Sequence, residues 1–410
     1  MSAAPPPAPS TAAGGAEPSH HALPAPRTLG LAFLAVVGGV GGFGPYLGLA
    51  LQRMGTPPAE LAAMLAVIPL TNGLATPIWA ALSDRFQIGA RFLQVATLSS
   101  VLVVGAISTA LLPSWGLALA LATYGIMRAP VGPLLDSLTV KSLEARGADP
   151  QAYGRVRLWG SVGFLAAGGL AGAVASARPE PGAPLWVAVA CWTLGLLVVL
   201  RMPAPRAAAP VQLGPAARAL AATPGLGWLL LALPLHGIGL NAYDAWYAML
   251  LAERGLGGHW TGAAIVVGVL AEVSLMAAAP RVLAGRDPVA LVAMSLGLAA
   301  LRWAVVAQLT EPLLLTALQL SHAVVFALFW LAVTETMRRR APPALRASGQ
   351  ALVLVLTYGL GPVLTSALGA ALSPRFGVAG LFAAASLAAL VASASAMIAW
   401  RKGVGAPRAA

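Results

Sequence analysis

Twelve apolar stretches fill most of this chain, at roughly 29–51, 59–82, 92–112, 115–140, 154–177, 185–202, 226–251, 261–280, 288–308, 312–335, 348–373 and 378–400. Each is close to the run of about 20 residues that a helix needs to cross a bilayer. In hydrocarbon the backbone N–H and C=O groups must be satisfied within the segment, so separate runs of this length can only be helices. Composition points the same way. Charged residues are 9% of the chain and mean hydropathy is +0.82, against about 25% charged residues in soluble domains. The expectation is an all-α integral membrane protein of twelve transmembrane helices embedded in a lipid bilayer.

The formal charge of +12 does not imply a nucleic-acid partner, because the basic residues sit in short segments between apolar runs and are not gathered on one folded face. Their distribution sets topology instead. Of 25 Lys and Arg, four (Arg53, Arg178, Arg254, Arg375) fall in one set of loops, two (Arg128, Arg302) lie deep inside spans, and the others fall in the opposite set of loops or at the span ends beside them, including the run Arg338-Arg339-Arg340. By the positive-inside rule both termini are cytoplasmic, in keeping with an even number of spans in a cell (inner) membrane. Residues 1–27, rich in Pro, Ala and Gly with His20-His21, read as a disordered cytoplasmic tail without the apolar core of a signal peptide. Residues 402–410 form a second tail. The sole cysteine, Cys191, excludes a disulfide framework and a cysteine metal site. With no phosphate-binding loop and no nucleotide domain, the sequence offers no catalytic or metal residues and no cofactor.

The Pro- and Ala-rich segment 203–224 divides the chain into six spans at 28–202 and six at 225–401. The halves echo one another faintly, with Gln52-Arg53-Met54-Gly55 after the first span and Glu253-Arg254-Gly255 after the seventh. Two pseudo-symmetric six-helix halves with a site near midplane between them are the plan of many secondary transporters.

Four stretches carry a more specific likeness: Pro77-Ile-Trp-Ala-Ala-Leu-Ser-Asp84-Arg85, Tyr153-Gly-Arg-Val-Arg157-Leu-Trp159-Gly160-Ser161-Val-Gly163-Phe164, Leu301-Arg302-Trp303 and Leu320-Ser-His322-Ala-Val-Val-Phe326. The chain resembles the major facilitator superfamily, and within it the proton symporters related to phenylpropionate permeases, lactose-permease-like sugar carriers and nucleoside carriers. The resemblance implies that fold, and a conformational latch at Asp84-Arg85, although Ala80 or Ala81 stands where the superfamily loop usually has Gly.

Four ionisable residues reach similar depth when counted from the outer end of each span at about 1.5 Å per residue: Asp244, Glu272, Arg302 and His322, at roughly 9 to 16 Å. Each is costly alone in a membrane, whereas together they make a neutralised network whose proton affinity can be moved. This is equipment for proton coupling, with the proton as coupling ion. Lactose-permease-like symporters place the same residue types in spans 7, 8, 9 and 10, but follow the histidine by a glutamate where this chain has Val325. That departure assigns the proton to Glu272 or Asp244, or else means that coupling is lost. A static ion-pair cluster that only fixes helix packing is the alternative.

Arg128 lies roughly 20 Å deep in the fourth span, with Asp136 about 12 Å further toward the cytoplasm. It can take a substrate carboxylate, or pair with Asp136 or with backbone carbonyls through local distortion. Asp136 and Arg157 can form an inter-helix gate or a plain interfacial anchor. Asn241, Tyr243, Tyr247, Phe326 and Trp330 can wall a ring-bearing solute or simply pack. Gly160, Phe164, Gly168 and Gly172 form a small-residue face for close helix packing.

These residues and the resemblance together lead to a monomeric proton symporter that imports a small-molecule substrate. An aromatic carboxylate such as a phenylpropionate is favoured, and a nucleoside or sugar comes next. Proton-antiport efflux of amphipathic compounds is the second reading, and a non-transporting sensor or scaffold the third.

Overall fold

The structure is a computed structural model and describes residues 23–86, 89–148, 152–202, 218, 220, 222–341 and 345–405. Most of the expected N-terminal tail, the central linker and the end of the C-terminal tail therefore lie outside the described residues, as do the side chains of Asp84 and Arg85.

The regular elements run α1 (Pro26–Arg53), α2 (Pro58–Phe86), α3 (Gly89–Ser108), α4 (Ser114–Arg128), α5 (Val131–Glu144), α6 (Ala152–Ala177), α7 (Leu185–Val199), α8 (Leu226–Asn241), α9 (Tyr247–Glu253), α10 (Gly258–Ala277), α11 (Ala279–Leu283), α12 (Pro288–Gln308), α13 (Pro312–Ala317), α14 (Phe329–Arg340), α15 (Arg346–Leu354) and α16 (Gly361–Arg401). Among the described residues, nine helices are long and apolar enough to cross a membrane. Glu60–Thr76 and Leu185–Val199 are shorter apolar helical stretches, and the run Ser348–Arg401 is interrupted by the left-handed Gly377 at φ 63°.

Several helices are broken where the polar residues sit. α4 and α5 form one apolar run split after Arg128, where Ala129 and Pro130 intervene. Pro130 and Pro133 each lack an N–H, so the hydrogen-bond ladder cannot run unbroken there. The freed turn is satisfied from α2: Trp79 Nε1 donates to the Ile126 carbonyl at 2.8 Å and Asn72 Nδ2 to that of Gly125 at 3.4 Å. Among the described residues, three π-helical turns, Ala242–Trp246, Ala323–Leu328 and Val355–Leu360, interrupt the apolar runs that begin at α8, α13 and α15. Such turns concentrate at functional sites.

α1 packs on α6 and α7, while α8 and α12 pack on α16. Between residues 23–202 and 220–405 the close seams are α6 against α10 and α2 against α16, joined by α1 against the turn Ala242–Trp246. A Cβ on Gly172 would stand 2.6 Å from the Gly258 carbonyl oxygen and 2.9 Å from Gly262 Cα, so only glycine lets the two backbones approach. At the same end His259 N donates to Ser176 Oγ at 2.8 Å, and Ser176 Oγ lies 2.9 Å from His259 Nδ1.

The faint repeat has a physical counterpart here. Arg53 donates to the carbonyls of Ala175 and Arg178 at the end of α6, and Arg254 to those of Val306, Ala307 and Leu309 at the end of α12. Each arginine satisfies carbonyls that a helix C-terminus leaves open.

Gly172→Leu should force α6 away from α10. Overpacking of this kind costs about 1–3 kcal/mol, so the thermal unfolding midpoint of the purified protein should fall by several degrees; an unchanged midpoint would show that the seam is not closely packed.

Candidate functional site

A cavity of about 340 Å³ lies between the two groups of helices, within the usual range of about 300–1,000 Å³ for small-molecule sites. Its charged and titratable lining consists of Arg128, Asp136 and Arg157 from one side and Asp244, Glu272 and His322 from the other. Phe33, Phe164, Tyr243, Tyr247, Phe326 and Tyr358 supply aromatic wall.

Behind this wall sits Arg302 on α12, 1% exposed. The carbonyls of its own helix are taken by the α-helical ladder, so its donors must find side chains. Nη2 donates to Gln319 Oε1, and Nη1 lies 3.3 Å from His322 Nδ1. The rings of Tyr243 and Trp303 cover the guanidinium, their centroids 4.9 and 4.6 Å from Cζ. Gln319, 0% exposed, spends its amide on the Leu315 carbonyl at 2.8 Å and the Tyr247 hydroxyl at 3.3 Å. An acceptor role for Nδ1 against a guanidinium leaves the imidazole hydrogen on Nε2. That nitrogen is 3.7 Å from Glu272 Oε2. A chain thus runs from Gln319 through Arg302 and His322 to Glu272 at the cavity edge.

Of the four residues expected to meet, the structure brings Glu272, Arg302 and His322 together. Asp244, on the turn Ala242–Trp246 and exposed toward the same cavity, lies within electrostatic range of Arg302 and Glu272 but forms no ion pair among the described residues. Val325, at the position of the missing glutamate, is 0% exposed and faces the core. A carboxylate there would need a partner that the surrounding apolar side chains do not provide.

On the opposite wall Asp136 accepts from the Tyr153 hydroxyl at 2.9 Å and lies 4.0 Å from Arg157 Nε, with both side chains of the pair 44% exposed. The expected alternative of an Arg128–Asp136 pair is not formed. Arg128 closes the last turn of α4 near the Tyr124 hydroxyl, and among the described residues it makes no ion pair. Asp136 and Arg157 both line the cavity as a half-exposed pair.

Two expectations about the wall need correction. Asn241 does not line the cavity. It was placed on one face with Asp244 by α-helical spacing, but the intervening π turn adds a residue per turn and rotates the two apart. Trp330 also lies off the cavity and stacks on Tyr358, 5.6 Å between centroids and 2° between planes. Tyr243, Tyr247 and Phe326 do line it, with Phe326 stacked on His322 at 5.0 Å. Glu335 makes an exposed-face ion pair with Arg338 and Arg339, as an interfacial charge would. Gln319, Tyr153 and Tyr358 went unrecognised as site residues. Gln319 carried one usable signal, a polar side chain three residues before His322 inside an apolar run.

Apolar helices of membrane-crossing length around a cavity with convergent polar groups define a multi-pass membrane protein that handles a small molecule. The chain belongs to the MFS_1-like family of the major facilitator superfamily, whose model matches residues 28–384, and is accordingly a membrane transporter and not an enzyme. It is 27% identical over 350 residues to a maltose permease from Geobacillus stearothermophilus, covering 81% of this chain and 84% of the relative. Its fold is similar to that of the nucleoside transporter NupG, with a TM-score of 0.77 at 16% identity over 92% of this chain and 99% of that one. It is also similar to a POT family transporter in complex with a thioalcohol-conjugated peptide, with a TM-score of 0.70 at 11% identity over 92% and 97%.

Gln319→Ala should leave a buried guanidinium donor without its acceptor. Hydrogen bonds to charged groups contribute about 1.5–3 kcal/mol, so thermal unfolding should shift down by several degrees, whereas Gln319→Glu, which keeps an acceptor for Arg302, should retain more stability. Equal loss in both variants would show that the Arg302 contact is not what Gln319 supplies.

Proposed function

We propose that this transporter is a proton-coupled symporter which imports a small organic anion, an aromatic carboxylate such as a phenylpropionate, by alternating access. In this reading twelve helices form two six-helix halves that rock about the cavity, and both termini face the cytoplasm of a cell whose inner membrane holds the protein. The observation that carries the proposal is the chain Arg302–His322–Glu272 ending at the same cavity that Arg128 enters from the other half.

The roles follow from charge. Arg128, held near the Tyr124 hydroxyl and without an ion pair among the described residues, supplies a cation near the middle of the membrane for a solute carboxylate. The aromatic rings of Phe326, Tyr243 and Tyr358 receive an apolar ring. Glu272, held by His322, takes the coupling proton, with Asp244 as the second acceptor. Arg302 and Gln319 fix the imidazole. Asp136 and Arg157 act as the gate at the cytoplasmic end, beside the Asp84-Arg85 latch. Asn241 and Trp330 remain outside the binding role in this reading.

The conformation fits an inward-facing state. The glycine seam and the Ser176–His259 contact close the end that carries Arg53, Arg178 and Arg254, while Asp136 and Arg157 at the opposite end are half-exposed. Proton and anion entering from outside would bind before the seam closes, and proton loss toward the cytoplasm would release the anion.

Proteoliposomes loaded with a pH dye test this directly. Added phenylpropionate should acidify the interior, and Glu272→Gln should abolish accumulation against a gradient while leaving exchange of labelled solute at wild-type rates. Acidification by a nucleoside or disaccharide alone would move the substrate assignment, and accumulation unchanged in Glu272→Gln would remove the coupling assignment.

A further inference from the structure

The cavity is electrically divided. On the wall from residues 23–202, Arg157 pairs with Asp136 and Arg128 does not, leaving one positive charge. On the other wall Asp244 and Glu272 stand before Arg302 and a neutral His322, leaving one negative charge. The whole set sums to zero, yet the two excess charges sit on opposite sides, and Asp244 and Arg128 are the members without an ion pair among the described residues. Uncompensated charges at membrane depth are costly, so both sides must be complemented together.

A monoanion complements only the Arg128 side, and a proton on the carboxylates must complement the other. A solute with its own cationic end does not need that proton. Resting on the symport reading above, we propose that the cavity binds dipolar solutes, bearing a carboxylate for Arg128 and an ammonium for Asp244 at the far end, in place of the proton and anion together. Such solutes bind independently of the coupling proton and compete with the anion.

The groups around Asp244 support this count. Arg302 from α12, Glu272 from α10, and His322 and Tyr358 from the runs through the second and third π turns lie within electrostatic range of it or of its partners. Tyr243 and Tyr247 flank it in sequence and line the same cavity. α8 brings His236, which is committed to the Val325 carbonyl at 3.1 Å, and Asn241. α1 and α16 also pack on the turn, but their charged residues, Arg27, Arg53, Arg375 and Arg401, lie at helix ends or beside the break at Gly377. Among the described residues, no further cation from the packed elements lines the cavity on this side.

The test compares 3-phenylpropionate with its ring-substituted analogue 3-[4-(aminomethyl)phenyl]propionate, binding to purified wild-type protein by calorimetry at about pH 6 and about pH 8. Both carboxylates are ionised and the amine is protonated at both values. The monoanion should weaken by up to about tenfold per pH unit as the proton becomes harder to supply, and the dipolar analogue by less than about twofold in total. In Asp244→Asn the dipolar analogue should weaken about tenfold or more, while the monoanion is affected less. The proposal falls if the analogue does not bind wild-type protein at either pH, or if it shows the same pH dependence as the monoanion; the wild-type comparison decides this even where the variant does not fold. A monoanion that binds with a proton while the analogue fails leaves the symport reading standing, whereas pH-independent binding of both removes the symport reading.

Discussion

The rest of the site depends on one buried guanidinium. Arg302 is almost wholly removed from water, and a charge so placed costs several kcal/mol unless its donors are met. Gln319, His322 and the covering rings of Tyr243 and Trp303 meet most of that demand. The arrangement has consequences one residue outward. It fixes the His322 tautomer, aims Nε2 at Glu272 and so places a carboxylate at the cavity edge with a hydrogen-bond donor held nearby. The backbone is bent to suit, with the helix around His322 passing from a 3₁₀ turn to a π turn at that residue.

The second constraint is backbone irregularity in apolar surroundings. Broken or π-helical turns are tolerated at membrane depth only where the freed groups are satisfied within protein or line a water-filled cavity. Here they coincide with the cavity: the break after Arg128, the turn bearing Asp244, the turn after His322 and the turn bearing Tyr358.

Much of this was legible before any coordinates. Helices follow from apolar run length alone, and the clustering of Glu272, Arg302 and His322 follows from counting rise per residue along straight helices. Straightness is also where sequence pattern and structure part. Asn241 and Asp244 share a face on an α-helix, but a π turn between them leaves only Asp244 on the cavity, and a single sequence gives no periodicity signal for one extra residue per turn. Trp330 was misplaced for a related reason, because aromatic spacing predicts a face and not which neighbour covers it. The Asp136–Arg157 pair could not be separated from an Arg128–Asp136 pair, since the choice depends on how α5 and α6 approach one another, a tertiary fact. Gln319 was missed because a neutral amide attracts no attention until the arginine that needs it is located.

The central claim is that the cavity complements one anion and one proton together. Calorimetric titration of 3-phenylpropionate into the purified protein, in two buffers of different ionisation enthalpy at the same pH, counts the protons taken up on binding. At a pH above the titration of the carboxylate cluster the account predicts uptake close to one proton per anion bound. Binding with no proton uptake would contradict it.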